Sequence, residues 1–155
     1  MRTSLIFLAW LLCTRPAAAL LCGTFLSPMT VSATNLSFGT YAPGSTVTAN
    51  TSVTIKCGLG LDLLPDFDVR LSAGNTTSPA TRHLKLGSSQ LYYNIYADPG
   101  FGSVWGDGSA GSVLQSYDGL LSLGNISFTG FGRLPSGQYV PAGAYGDHIT
   151  VTVIY

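Results

Sequence analysis

The chain has 155 residues, and its seven basic and seven acidic side chains balance to a formal net charge of zero. Only 9% of its residues are charged, whereas 46% are hydrophobic. A neutral chain offers no basic surface for nucleic acid, and so apolar a composition is not that of a disordered protein. The many Gly, Ser and Thr residues, with no Glu, favour strands and turns over helices. The length predicts a single domain.

Residues 1–19 have the pattern of a secretory signal peptide. Arg2 supplies a positive charge, residues 5–13 are mostly apolar, and residues 17–19 are three small alanines suited to cleavage. An uncleaved anchor is the alternative, but the apolar run is too short to span a bilayer. We therefore expect an exported protein with no membrane span, whose domain occupies residues 20–155.

Removal of the signal peptide would leave Cys22 and Cys57 as the remaining cysteines. An even number of cysteines in an exported chain indicates a disulfide. Two free thiols, or part of a metal site, are the alternatives. Since His83 and His148 lie at no spacing typical of metal ligands, we expect neither a metal nor another cofactor.

Apolar and polar residues alternate in five runs between closely spaced Gly and Pro residues, and this period of two predicts strands with one buried face. Turns are predicted at residues 42–44, 58–60, 72–75, 98–100 and 134–137. Short strands at this spacing predict an all-β fold, a two-sheet antiparallel sandwich. The predicted inward residues are Val53, Ile55 and Cys57; Phe67, Val69 and Leu71; Leu91, Tyr93 and Ile95; Ile126 and Phe128; and Tyr145, Asp147, Ile149, Val151, Val153 and Tyr155.

The last run keeps its apolar face up to Tyr155. An exposed apolar strand edge invites aggregation, so we expect another strand to cover it. That strand could belong to this chain or to another chain.

No motif supports catalysis. Residues 106–111 fit G-x-G-x-x-G, but no helix is predicted after them, as a dinucleotide site requires. The chain has no G-x-S-x-G motif, and both histidines are predicted on the surface. Asp66 and Asp68 fit the polar side of a strand rather than an acid–base pair. We therefore expect a protein that is not an enzyme.

Two further patterns leave alternatives open. Four asparagines lie in N-x-S/T, which marks glycan sites in eukaryotic secreted proteins but also fits plain turn composition: Asn35, Asn50, Asn75 and Asn125. The eight tyrosines fit core packing, while Tyr92 and Tyr96 are predicted on the outward face and remain candidates for stacking on sugars.

Several motifs recur in a fixed order along the chain: Cys22, Phe38–Tyr41, Val53–Cys57, Val69–Gly74, Leu91–Tyr96, Val104–Gly108, Gly132–Pro135 and Gly143–Tyr155. This ordered set resembles the spore coat protein U domain family, which includes subunits of archaic, Csu-type chaperone–usher pili of bacteria. The motifs cover nearly all of the chain after the signal peptide.

The resemblance implies an incomplete immunoglobulin-like sandwich that lacks one strand. In such subunits a periplasmic chaperone lends the strand, and the next subunit later replaces it by donor-strand complementation. The groove for that strand would lie beside Ile149, Val151, Val153 and Tyr155, and the family's paired cysteines map to Cys22 and Cys57. The implied partners are the chaperone, an outer-membrane usher and other pilus subunits, and the implied location is the cell surface, reached through the periplasm.

One departure from the family bears on the function. Subunits that build pili carry a donor segment before the first cysteine, whereas only Leu20 and Leu21 would precede Cys22 here. The expectation is a non-catalytic structural subunit that accepts a strand without giving one, at the end of a pilus or fibre. The alternative is a self-complete secreted spore-coat, matrix or glycan-binding protein.

Overall fold

The computed structural model describes residues 28–63, 66–119 and 121–155, and for residues 57–63 and 121–123 it describes the backbone alone. The predicted signal peptide and Cys22 lie outside the described residues. The signal peptide, the domain boundary at residue 20 and the Cys22–Cys57 disulfide therefore stay predictions.

The chain is all-β, and its paired strands are antiparallel. Nine strands lie within the described residues: β1 (Met29–Ala33), β2 (Val47–Leu63), β3 (Asp66–Leu71), β4 (His83–Leu86), β5 (Ser89–Tyr92), β6 (Asn94–Tyr96), β7 (Gln115–Asp118), β8 (Leu121–Leu134) and β9 (Val151–Ile154). The helical content of these residues is one 3-10 turn at Pro79–Thr81, and no helix there is long and apolar enough to cross a membrane.

Two sheets pack face to face as a sandwich. One has the strand order β1-β2-β8-β6, the other has the order β7-β3-β9, and β4 and β5 form a separate hairpin. The Phe67 ring on β3 meets the Phe128 ring on β8 edge-on, with 6.2 Å between their centroids. The predicted inward residues of β2, β3 and β5–β6 are confirmed as core: Val53, Ile55, Phe67, Val69, Leu71, Leu91, Tyr93 and Ile95.

Trp105 lies at the centre of the core and is completely buried. Its indole N–H donates to the Val69 carbonyl on β3 at 2.9 Å, and its backbone N–H donates to the Ile95 carbonyl on β6 at 2.9 Å. Gly130 on β8 makes room for the ring, because a Cβ there would lie 3.2 Å from the indole. The tryptophan thus links the two sheets through hydrogen bonds as well as packing.

Three predicted boundaries are wrong. The turn expected at residues 58–60 is part of β2, which runs for 17 residues and changes its register with β8 between Lys56 and Leu61. The run at 91–96 divides, because β5 pairs with β4 whereas β6 pairs with β8. The last strand begins at Val151 rather than at Tyr145.

The prediction of a surface histidine at residue 83 is also wrong, because His83 and its neighbour Arg82 are buried. The Arg82 guanidinium makes five hydrogen bonds, and its acceptors are the carbonyls of Leu71, Ser72 and Trp105 and the Asn94 side chain. Burial lowers the pKa of Arg82, since it disfavours the charged form. Arg82 therefore ties the end of β3 to the segments around Asn94 and Trp105.

Candidate functional site

A groove of about 910 Å³ opens along one side of the sandwich. We call residues 33–41, which follow β1, its N-terminal wall, and residues 140–151, which lead into β9, its C-terminal wall. The floor consists of core side chains: Val53, Leu71, Leu84, Leu91, Tyr93, Ile95, Trp105 and Leu134. The hydrophobic core is therefore reached directly from this groove.

The N-terminal wall presents Leu36 and Phe38 to the core, while Asn35 and Ser37 between them are exposed. The Phe38 ring packs edge-on against Tyr93, with 5.6 Å between the centroids. Gly132 on β8 lets Leu36 approach, because a Cβ at residue 132 would lie 2.8 Å from the Leu36 Cδ1 atom. The alternation of Leu36 and Phe38 with polar residues was the sequence signal for this wall.

The backbone of the N-terminal wall leaves the sheet after Thr34. The Thr34 N–H still donates to the Ser52 carbonyl on β2 at 2.9 Å. From residue 35 to residue 41, no backbone N–H or C=O group forms a hydrogen bond with another part of the chain that the structure describes. The wall is thus an extended segment with an unpaired backbone.

The C-terminal wall has an unpaired edge of its own. β9 pairs with β3 on one side, and no described residue pairs with its other side. The Ser72 N–H donates to the Thr150 carbonyl at 3.0 Å, so the even-numbered residues of this strand form the bonds to β3. Because bonding alternates in an antiparallel pair, the N–H and C=O groups of Val151 and Val153 point to the unpaired side.

Asp147 anchors the C-terminal wall to the rest of the sandwich. Its carboxylate accepts hydrogen bonds from the Tyr93 hydroxyl at 2.8 Å and from the Asn75 N–H at 2.7 Å. Burial raises the pKa of Tyr93, and the negative charge of Asp147 raises it further. Gly74 (φ +67°) lies against this carboxylate, where a Cβ would collide with it. This wall is therefore held towards the hairpin and the 72–75 turn, on the far side of the groove from Leu36.

The polar side chains along the groove already have partners. The Tyr41 hydroxyl donates to the Pro135 carbonyl at 3.0 Å and accepts from the Gln138 N–H at 3.0 Å. The Gln138 amide pairs with both backbone groups of Tyr92. What the groove offers is therefore unpaired backbone on two walls above an apolar floor. An extended polypeptide with alternating apolar side chains complements that arrangement.

The structure places the residues predicted for the groove in different positions. Ile149 and Val151 line it. Val153 follows on β9, opposite Val69 and packed against the core, while Tyr155 is 67% exposed, and neither lines the groove. Cys57 lies on β2 opposite Met29. Leu36, Phe38 and Gly132 belong to the groove although they were not predicted for it.

The glycine-rich loop at residues 106–111 closes on itself. Asp107 accepts hydrogen bonds from the Ser109 N–H and hydroxyl, and these lower the pKa of Asp107. Gly106 is packed against Ser112 and Pro79, and no helix follows. Among the residues that the structure describes, no three His, Cys, Asp or Glu side chains cluster as metal ligands would.

The sequence model of the Spore Coat Protein U domain matches residues 13–152. The chain belongs to this family. Among the curated proteins, none matches the chain. Membership in the Spore Coat Protein U domain family confirms the resemblance drawn from the motifs, and it indicates a structural protein rather than an enzyme.

Solved structures show the same fold. One is a chain of the CsuC–CsuE chaperone–tip adhesion subunit pre-assembly complex from archaic chaperone–usher Csu pili of Acinetobacter baumannii, with 22% identity and a TM-score of 0.59 over 84% of this chain. Another is a chain of a chaperone–tip adhesin complex of CFA/I fimbriae, with 16% identity and a TM-score of 0.43 over 77% of this chain. This chain spans 40% and 37% of the lengths of those two chains.

Proposed function

We propose that this Spore Coat Protein U domain protein is a non-catalytic structural subunit of a chaperone–usher type surface pilus or fibre. In this proposal its groove accepts a β-strand from another chain, so the domain is completed by donor-strand complementation. The observation that carries the proposal is the pair of unpaired backbone edges that face each other across an apolar groove.

The donor strand would lie between the N-terminal and C-terminal walls. Its backbone would bond to Val151 and Val153 on one side and to residues 35–41 on the other. Every second side chain would point to the floor, where Leu71, Leu91 and Trp105 form the contact surface. Main-chain bonds give affinity in strand addition, and the alternate side chains give specificity.

The two donors differ in time. A periplasmic chaperone would supply the first strand, because a groove open to the core exposes apolar surface and strand edges that promote aggregation. A neighbouring subunit would replace that strand at an outer-membrane usher, so the protein would reach the cell surface by export through the periplasm. The fold shared with a chain of a chaperone–subunit complex supports a chaperone as the first partner.

The test is co-expression of the full chain with its candidate chaperone in a bacterial periplasm, followed by purification. We expect a stable complex of equal stoichiometry, and aggregation or degradation of the subunit without the chaperone. A soluble monomer that unfolds cooperatively without a partner would contradict the proposal. That outcome would favour the alternative, a self-complete secreted coat, matrix or glycan-binding protein.

A further inference from the structure

A second concave site lies at the edge of the first sheet, outside the groove. It has a volume of about 340 Å³, and Thr81, Tyr92, Tyr96, Arg133 and Pro135 contribute to its lining. Asn94 on β6 lies opposite Arg133 on β8, and Tyr96 lies two residues after Asn94. Tyr96 and Arg133 therefore project from the same face of the sheet.

Packing contacts position the aromatic rings of this site. The Tyr92 ring meets His83 edge-on at 5.7 Å, and the Tyr96 ring meets Phe101 edge-on at 5.4 Å. Tyr92 remains 50% exposed. The Tyr92 hydroxyl donates to Gln90, whereas the Tyr96 hydroxyl forms no hydrogen bond within the described part of the chain. The site thus offers aromatic surface and a hydroxyl group for a ligand.

The lining contains two cations and no carboxylate. Arg82 is fully occupied by its five hydrogen bonds inside the core. The Arg133 guanidinium lies 5.4 Å from the centre of the Phe101 ring, and no carboxylate lies within 4.0 Å of it among the described residues, where the ion pair present joins Arg70 and Asp68. Arg133 is therefore the cation that an anionic ligand would meet.

We propose that this pocket binds an acidic sugar, with the sugar ring against the tyrosines and its carboxylate on Arg133. A planar guanidinium binds a carboxylate through two parallel hydrogen bonds. An apolar pocket wall with a few placed polar groups is the usual form of a small-ligand site. A neutral sugar would not use the cation, and a simple anion would not use the rings.

The test titrates the full chain, purified with its chaperone if it requires one, with hexamers of galacturonate and of mannuronate and with their carboxyl-reduced, neutral counterparts. We expect an acidic hexamer to bind at least about tenfold more tightly than its neutral counterpart, because charge-assisted hydrogen bonds are lost with the carboxylate. Arg133→Met should reduce the affinity for the acidic hexamer to that for the neutral one.

Lys56→Gln is the matched control, because Lys56 is an exposed cation on β2, opposite Asn125 and eight residues along β8 from Arg133. We expect it to leave the affinity unchanged. The proposal is overturned if neither acidic hexamer binds, if the neutral hexamers bind equally well, or if Lys56→Gln weakens binding as much as Arg133→Met. The chaperone complex is measured separately, so these outcomes leave the groove untouched.

Discussion

Arg82 is a buried cation held by neutral acceptors. Its guanidinium contacts three backbone carbonyls and one side-chain amide, and its side chain has no exposed surface. A guanidinium has five N–H donors in a planar fork, which explains why one residue can join segments that are distant in the sequence. Removing it would leave several buried acceptors without a donor.

Arg82→Met should destabilise the protein by about 3 kcal/mol or more, because each buried acceptor left unsatisfied costs about 1–3 kcal/mol. The measurement is urea unfolding of the variant and the parent under the same conditions. Lys85→Met is the control, because Lys85 is an exposed cation three residues further on. Similar losses in both variants would show that the buried hydrogen bonds of Arg82 are not the cause.

Tyr93 should make stability depend on alkaline pH. Its folded-state pKa is raised above its ordinary value of 10.0 by burial and by Asp147. Above about pH 10 the unfolded chain therefore loses a proton that the folded chain retains, and stability falls as the pH rises. Below that pH the contribution is fully present.

Tyr93→Phe should accordingly lower stability near neutral pH by about 1.5–3 kcal/mol, the range for a hydrogen bond to a charged group. Its stability should also fall less steeply than that of the parent above about pH 10. Urea midpoints across this pH range provide the measurement. Tyr139→Phe is the control, since Tyr139 is 89% exposed, and a matching change in its slope would contradict the assignment to Tyr93.

β9 divides its residues between two tasks. Thr152 bonds to β3 and its side chain is exposed, whereas Val151 is half-buried and presents both its side chain and its backbone to the groove. Neighbouring positions on this strand therefore differ in what a charge would disturb.

Val151→Asp should abolish capture by the chaperone, because it places a carboxylate where a donor strand has to insert apolar side chains. Thr152→Asp adds the same charge on the opposite face and should leave capture intact. Co-purification yield gives the comparison, with circular dichroism of each complex or free subunit as the check on folding. Equal yields of the two complexes would count against the groove as the chaperone site.

Alternation made much of the sandwich predictable. Val69, Ile55 and Ile95 are buried as expected, because a period of two in the sequence translates directly into the two faces of a strand. The wall at Leu36 and Phe38 carries the same alternation over fewer residues, and its role depends on the opposite wall more than 100 residues further along the chain.

Other features could not be predicted from local pattern. Arg82 and His83 stand in a polar stretch, and what buries them is a set of carbonyls from residues 71, 72 and 105. The stretch at residues 58–60 has turn composition but continues β2, because a change of register accommodates it within a long strand. In both cases the deciding partner is distant in sequence.

The disulfide remains a prediction about the domain as a whole. β1 runs antiparallel to β2 with Met29 opposite Cys57, so the chain that leads from Cys22 enters beside its predicted partner. Closing the 35-residue separation would contribute roughly 3–4 kcal/mol on the loop-entropy account.

Cys22→Ser should sharply lower the yield of the protein from an oxidising compartment, and it should lower the melting temperature. The control is Cys13→Ser, because Cys13 lies in the predicted signal peptide and would be absent from the exported protein. Unchanged yield and melting in Cys22→Ser would mean that no structural disulfide joins these cysteines.

The two walls of the groove come from opposite ends of the described chain, one just after β1 and the other just before its last residues. A strand seated between them lies along both, with its bonds perpendicular to its own axis. Tension along that axis then loads every bond at once in shear, instead of opening them singly as in peeling. On this geometry, a fibre built from such joints would resist mechanical pulling far better than the affinity of any one contact suggests.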